Sequence, residues 1–212
     1  NGFKKKEDAE RLIAELTAEP VGPVTVTGIE KKKENKNAPL LYNLAELQND
    51  CSKYFKISPD ETLRIVQELY EKKMTTYPRT DARVLSTEVA KEIHKNIGGL
   101  RSYALATPFA KEVLEQGTYK NIAKTRYVND KQITDHHAII PTGQGLNNLA
   151  GLAPTAAKVY EVIVRRFLSI FYPPAVYQKF SLTVKVKEEN FFASFKVLVQ
   201  EGYLKVATIS FK

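Results

Sequence analysis

The chain has 212 residues, 43% of them hydrophobic and 26% charged, with a formal net charge of +8. These proportions exclude the low-hydrophobicity composition of disordered chains and leave enough material for one or two packed domains. No apolar run reaches the roughly 18 to 20 residues of a membrane-spanning helix, no basic-then-apolar signal opens the chain, and the single Cys51 excludes an internal disulfide.

Between residues 6 and 18, Ala9, Leu12, Ile13 and Leu16 recur at helical spacing until Pro20 and Pro23 stop the pattern. In residues 23 to 31, Val24, Val26 and the following Ile29 sit among Thr and Gly and predict a strand, while charged Lys31 to Pro39 reads as a linker. Asn43 is placed to cap a helix with Leu44, Leu47, Cys51, Tyr54 and Phe55 on one face. Ser58, Pro59 and Glu61 form a capping box and first-turn proline for a second helix, with Leu63, Val66, Leu69 and Tyr70 as its stripe. Ser86 caps a third, expected to end at Gly98-Gly99, and Thr107-Pro108 opens a short fourth. The longest helical pattern covers 155 to 171 and is closed by Pro173-Pro174. The period then changes: Phe180, Leu182, Val184 and Val186 alternate, Glu188-Glu189-Asn190 turns, and Phe191 to Val199 alternates again, a β-hairpin.

Strand signals near both ends with helices between predict an α+β chain in which a helical domain interrupts a β-rich one. The expected division is 1–37, 38–145 and 146–212, the last segment returning to the β-rich domain with the 155–171 helix. The chain begins at Asn1 and its one Met is the internal Met74, which suggests a piece of a longer protein. A net positive charge is the footprint of a protein that meets a polyanion, although the lysine runs at 4–6 and 31–33 are equally compatible with solvated faces.

Chemistry concentrates in two segments. In Thr75-Thr76-Tyr77-Pro78-Arg79-Thr80-Asp81, Pro78 biases Tyr77 toward extended backbone, and residues two apart in an extended stretch share a face. A phenol and a guanidinium then meet one phosphate: Tyr77 as a nucleophile with an ordinary pKa of about 10, Arg79 as the planar fork that stabilises charge on the transferring group. Asp81 is close enough in sequence to orient Arg79. The same spacing also suits a Tyr77 that covers the core beside a surface Arg79–Asp81 pair. The second segment, Asp135-His136-His137-Ala138-Ile139-Ile140-Pro141-Thr142, holds two of the three histidines. Adjacent side chains in an extended segment diverge, so His136 and His137 do not share a metal ion; one is free to carry a proton or touch phosphate while the other packs.

Tyr77-Pro78-Arg79-Thr80-Asp81, preceded by Gln67-Glu68-Leu69-Tyr70-Glu71 and followed by Leu85-Ser86, resembles the active-site signature of type IA DNA topoisomerases. His-His-Ala-Ile-Ile-Pro-Thr resembles the matching downstream motif in the form typical of the topoisomerase III branch. Ala38-Pro39-Leu40-Leu41-Tyr42-Asn43-Leu44 with Gln48, and Arg165-Arg166-Phe167 with Pro174-Ala175, resemble the entry to and exit from the nucleophile-bearing domain.

The resemblance implies a helical nucleophile domain inserted into a β-rich arch, or hinge, domain, and an isomerase that cuts and rejoins single-stranded DNA through a 5′-phosphotyrosine. It casts Tyr77, Arg79 and His136 as catalytic and Asp81 and His137 as supporting, His137 standing where relatives carry an acidic residue. Magnesium is implied for the full-length enzyme, bound by an acidic TOPRIM domain; no Asp-x-Asp-x-Glu pattern occurs here, so no metal ligand is assigned to this chain. The implied partners are single-stranded DNA and the rest of the same polypeptide, with no membrane, in a monomer located in the cytoplasm on the nucleoid. A tyrosine recombinase would need His-x-x-Arg, but His94 and His136 are followed three residues on by Ile97 and Ile139, and a rolling-circle nuclease would need His-hydrophobic-His. The remaining alternative is a non-enzymatic module that only binds single-stranded nucleic acid.

Overall fold

The computed structural model describes residues 2–208, so the expected outer domain limits at Asn1 and Lys212 lie outside the described residues. The architecture is α+β. The chain divides into two units, one formed by residues up to Lys36 together with Val176–Gln200, the other by Asn37–Ala175 with the residues from Glu201 onward.

The first unit carries helix α1 (Lys6–Thr17) and a three-stranded sheet in the order β1 (Val24–Lys36), β2 (Ala175–Val186), β3 (Glu189–Gln200). β2 and β3 run antiparallel with Phe180 opposite Phe195, whose rings stack at 5.0 Å, and Val184 opposite Phe191. The hairpin turns at Lys187-Glu188 rather than at 188–190, since Val186 already pairs with Glu189 and Lys187 takes a left-handed φ of 51°. The expected linker is also corrected: β1 continues to Lys36. Its charged residues suit an outer strand, where side chains stay in water, and Glu34 pairs with Lys196 at 2.7 Å.

The second unit contains α2 (Leu44–Phe55), α3 (Pro59–Glu71), α4 (Thr87–Gly99), α5 (Thr107–Gln116), α6 (Pro154–Ser169) and the one-turn α7 (Leu204–Ala207). Local capping explains three starts: the Asn43, Ser58 and Ser86 side chains accept from the amides of Glu46, Glu61 and Val89 at 2.9, 3.1 and 3.1 Å. The expected domain break at 146 falls instead at 175/176. The reason is α6, which buries Val159, Tyr160, Val162, Ile163, Val164, Phe167 and Leu168 over most of its circumference and leaves a narrow polar side at Lys158; so broad an apolar surface belongs where it is packed from more than one side, here against α3 and α7. The expected end of α4 at Gly98-Gly99 is met, the α-helix closing at Gly99 before a single 3-10 turn at Leu100–Ser102, and Gly99 also permits a close approach, since a Cβ there would lie 2.1 Å from the Gly143 carbonyl oxygen.

A buried polar clamp closes this core. Arg166 on α6 donates to the Asp50 carboxylate at 2.8 Å, the Tyr42 hydroxyl at 3.0 Å and the Leu40 carbonyl at 3.0 Å. Its guanidinium lies 4.0 Å from the centre of the Tyr42 ring, and Tyr42 donates to Asp50 at 2.5 Å. No helix among the described residues is long and apolar enough to cross a membrane.

Candidate active site

The two chemistry-bearing segments, about sixty residues apart, are laid side by side by a short ladder. Thr76 donates its amide to the Ile140 carbonyl at 3.0 Å, and the Ile140 amide returns to the Thr76 hydroxyl at 3.0 Å. Thr76 Oγ1 also donates to the Ala138 carbonyl, and the Thr142 amide donates to the Met74 carbonyl. Thr80, nearly buried, donates from its hydroxyl to the His136 carbonyl at 2.9 Å and accepts from the Ala82 amide at 3.1 Å. The segment around His136 is tied on its other side by Ile139 donating to the Tyr42 carbonyl and Ala138 to that of Val84.

On this frame the Tyr77 ring sits 4.5 Å from the His136 ring, centre to centre, tilted by 45°. The Tyr77 hydroxyl has no hydrogen-bond partner among the described residues. Arg79 is exposed and, among the described residues, likewise unpaired. Asp81, placed by sequence to orient Arg79, makes no ion pair with it; its backbone carbonyl instead accepts from Asn43 at 3.1 Å. A surface Arg79–Asp81 pair is therefore absent, and the guanidinium is available to an external anion.

The two histidines part as strand alternation requires. His136 is exposed beside Tyr77, whereas His137 is half-buried with Nδ1 at 2.8 Å from the Ala138 carbonyl oxygen. A carbonyl only accepts, so Nδ1 carries the proton and Nε2 is the free acceptor. Burial holds the His137 imidazole below its ordinary pKa of 6.5 against the opposing pull of that hydrogen bond, and the adjacent His136 lowers it further.

Two features escaped the sequence reading. Tyr70, assigned to the buried stripe of its helix, is 40% exposed, and the stripe is Thr62, Ile65, Val66 and Leu69 instead. The Tyr70 ring meets Tyr77 edge to face at 5.4 Å. Gly143-Gln144-Gly145 forms a rigid platform, both glycines at left-handed φ of 78° and 69°, with Gly145 so close that a Cβ would lie 2.3 Å from the Lys72 carbonyl oxygen. Gly-Gln-Gly directly after the Pro-Thr motif was the available signal. Among the described residues no group of three or more His, Cys, Asp or Glu side chains fits a metal ion.

Residues 1–212 match the family model described as DNA topoisomerase. A Bacillus cereus protein named DNA topoisomerase 3 is 38% identical over 209 residues, which is 97% of this chain and 28% of that relative. A Bacillus subtilis protein of the same name is 35% identical over 182 residues, 85% of this chain and 24% of the relative. The chain thus spans about a quarter of the length of these relatives. Among solved structures, full-length topoisomerase I from Thermotoga maritima aligns over 99% of this chain and 33% of its own, with a TM-score of 0.66 and 19% identity, a likeness of fold.

Proposed function

Since the chain belongs to the type IA DNA topoisomerases, on the topoisomerase III branch, we propose that it is the nucleophile-bearing central part of an enzyme that transiently cuts and rejoins single-stranded DNA. The observation that carries the reading is a Tyr77 hydroxyl without a partner among the described residues, its ring packed on an exposed His136, with Arg79, likewise unpaired among the described residues, two positions away.

Tyr77 Oη attacks the phosphorus of a DNA phosphodiester. The new O–P bond replaces the P–O3′ bond, leaving a 5′-phosphotyrosyl ester and a 3′-oxygen that departs as a hydroxyl. The phenolic proton is lost on attack, and an imidazole beside the ring suits His136 to assist that transfer. Arg79 stabilises the charge that gathers on the non-bridging oxygens. Attack by the 3′-hydroxyl reverses the sequence, and because the ester retains the energy of the phosphodiester, resealing needs no ATP. Between the two steps the helical unit lifts away to pass a strand, with the β-rich unit as hinged arch. Magnesium belongs to this reading only through the acidic domain expected elsewhere in the full-length protein. A DNA substrate sets the location, cytoplasmic and on the nucleoid, and one tyrosine per cut strand suffices in a monomer.

The test is covalent trapping of a labelled oligonucleotide by the full-length protein with magnesium. Tyr77→Phe removes only the attacking oxygen and is expected to abolish the adduct while keeping non-covalent binding. Arg79→Ala is expected to lower the rate by on the order of 10² to 10³, the worth of one preorganised electrostatic donor, and His136→Ala by less. A Tyr77→Phe protein that still formed the adduct would falsify the assignment. If wild type bound single strands but never formed an adduct, the non-enzymatic binding module would stand in its place.

A further inference from the structure

The Tyr77 ring also forms one wall of an open cavity of about 530 Å³ that the strand-cutting chemistry does not use. Its lining includes Tyr70, Glu71, Lys73, Thr75 and Gln144. The volume is in the range of sites that hold one small organic group, and the chemistry around it is uneven in an informative way. Tyr70 and Tyr77 supply aromatic surface at right angles, their rings at 79°. The Lys73 ammonium and the Gln144 amide, both on exposed residues, have no partner among the described residues. Glu71 holds one carboxylate oxygen toward the Gln67 amide at 3.3 Å, so negative charge marks only that rim.

The decisive group is Thr75. It is 1% exposed, it lines the cavity, and its hydroxyl has no hydrogen-bond partner among the described residues. A buried hydroxyl without a partner is uncommon because leaving it unsatisfied is unfavourable. Its neighbour Thr76 is fully engaged in the ladder to Ala138 and Ile140, so the orphan is not the result of loose packing in the segment. Lys73 adds a second irregularity, a non-glycine residue held at φ 61°, where its carbonyl accepts from Thr142 at 2.5 Å. The glycines on either side of Gln144 fix its backbone at the cavity, where its backbone N–H donates to the Thr142 hydroxyl at 3.0 Å.

Resting on the reading of Tyr77 as the nucleophile, we propose that this cavity is a nucleotide subsite that takes the base flanking the phosphate under attack and reads it. The base packs on Tyr70, as bases do on aromatic side chains. The Gln144 amide, with a donor and an acceptor in one plane, addresses the base edge, and the Thr75 hydroxyl completes the polar contacts at the floor. Lys73 meets the adjoining phosphate, away from Glu71.

The experiment uses the full-length protein with Tyr77→Phe as background, so that binding is read without cleavage, and in parallel with Tyr77 intact for mapping of cut sites on a randomised single-stranded pool. Gln144→Ala is expected to flatten the base preference at one nucleotide flanking the cut by threefold or more while more distant positions keep theirs. Lys73→Ala is expected to weaken binding equally for all bases and reduce the salt slope by about one. Thr75→Val, nearly isosteric, is expected to weaken binding several-fold without lowering the unfolding midpoint, whereas a merely structural hydroxyl would lower it. A wild-type profile flat at both flanking nucleotides, a Gln144→Ala profile superimposable on wild type, or wild-type binding by Thr75→Val overturns the subsite. Loss of the covalent adduct in wild type, with base-selective binding still abolished by Gln144→Ala, would overturn the nucleophile reading and leave the subsite standing.

Discussion

Removing the acid from the Arg166 clamp is the sharpest test of what holds the helical unit together. In Asp50→Ala the guanidinium keeps the Leu40 carbonyl, the Tyr42 hydroxyl and the Tyr42 ring but loses the carboxylate it holds at 2.8 Å. The two charged side chains are 13% and 14% exposed, so water reaches them but does not replace the lost partner. Breaking a fully buried pair costs about 3–5 kcal/mol. The residual exposure and the surviving carbonyl and ring contacts argue for the lower end, about 3 kcal/mol, to which the stranded Tyr42 hydroxyl, whose bond to Asp50 is 2.5 Å, contributes. For a protein of this size that is a fall in Tm of roughly 6–12 °C. Urea unfolding followed by far-ultraviolet circular dichroism measures it, with Arg166→Met and the double variant completing the cycle. The double variant removes both charges and is expected to be markedly more stable than the two single losses added together. Strict additivity would refute the coupled clamp, as would an Asp50→Ala loss below about 1 kcal/mol, the level of a surface pair.

Two other outcomes follow from the site. Gly145→Ala combines a left-handed φ of 69° with a Cβ 2.3 Å from a backbone oxygen, so a loss of about 1–3 kcal/mol or more in urea is expected, together with altered base preference through displaced Gln144. His137 gives a pH signature. Its folded pKa lies below 6.5, so above 6.5 both states are neutral and it contributes nothing, while below 6.5 the unfolded chain takes up a proton that the folded one resists and stability falls. His137→Gln removes that part of the decline. Unfolding midpoints of the two proteins should therefore keep a constant separation above pH 6.5 and change separation below it; parallel curves throughout would contradict the burial argument.

What was legible in the sequence was local. Asn43, Ser58 and Ser86 identify helix starts because a cap is an interaction over three residues, and alternation in 180–186 and 191–199 identifies the hairpin because the period is set by the pleat. The Tyr77 and His136 motifs were visible, but spacing alone leaves their rings sixty residues apart, and only the ladder from Thr76 to Ile140 brings them to 4.5 Å. Tyr70 was misread because a stripe at helical spacing does not say which edge residue turns outward. Gly98-Gly99 marked the end of α4, but the close approach of the Gly143 backbone to Gly99 was not legible because Gly143 is distant in sequence. The unit boundary was misplaced because a helix with a broad apolar surface has the same internal signal whichever neighbours bury it.

The ladder between the two motifs has a kinetic meaning as well. Its side-chain bonds join residues 62, 64 and 69 positions apart, so they raise the contact order of the segment that carries Tyr77. Closing loops of that length must precede any reward from the bonds, which puts this region among the later parts of the unit to organise during folding. Once formed, the amides of Thr76, Ile140 and Thr142 are released only when both strands of the ladder separate. Their hydrogen exchange therefore reports the cooperative opening of the helical unit rather than fraying of a surface loop.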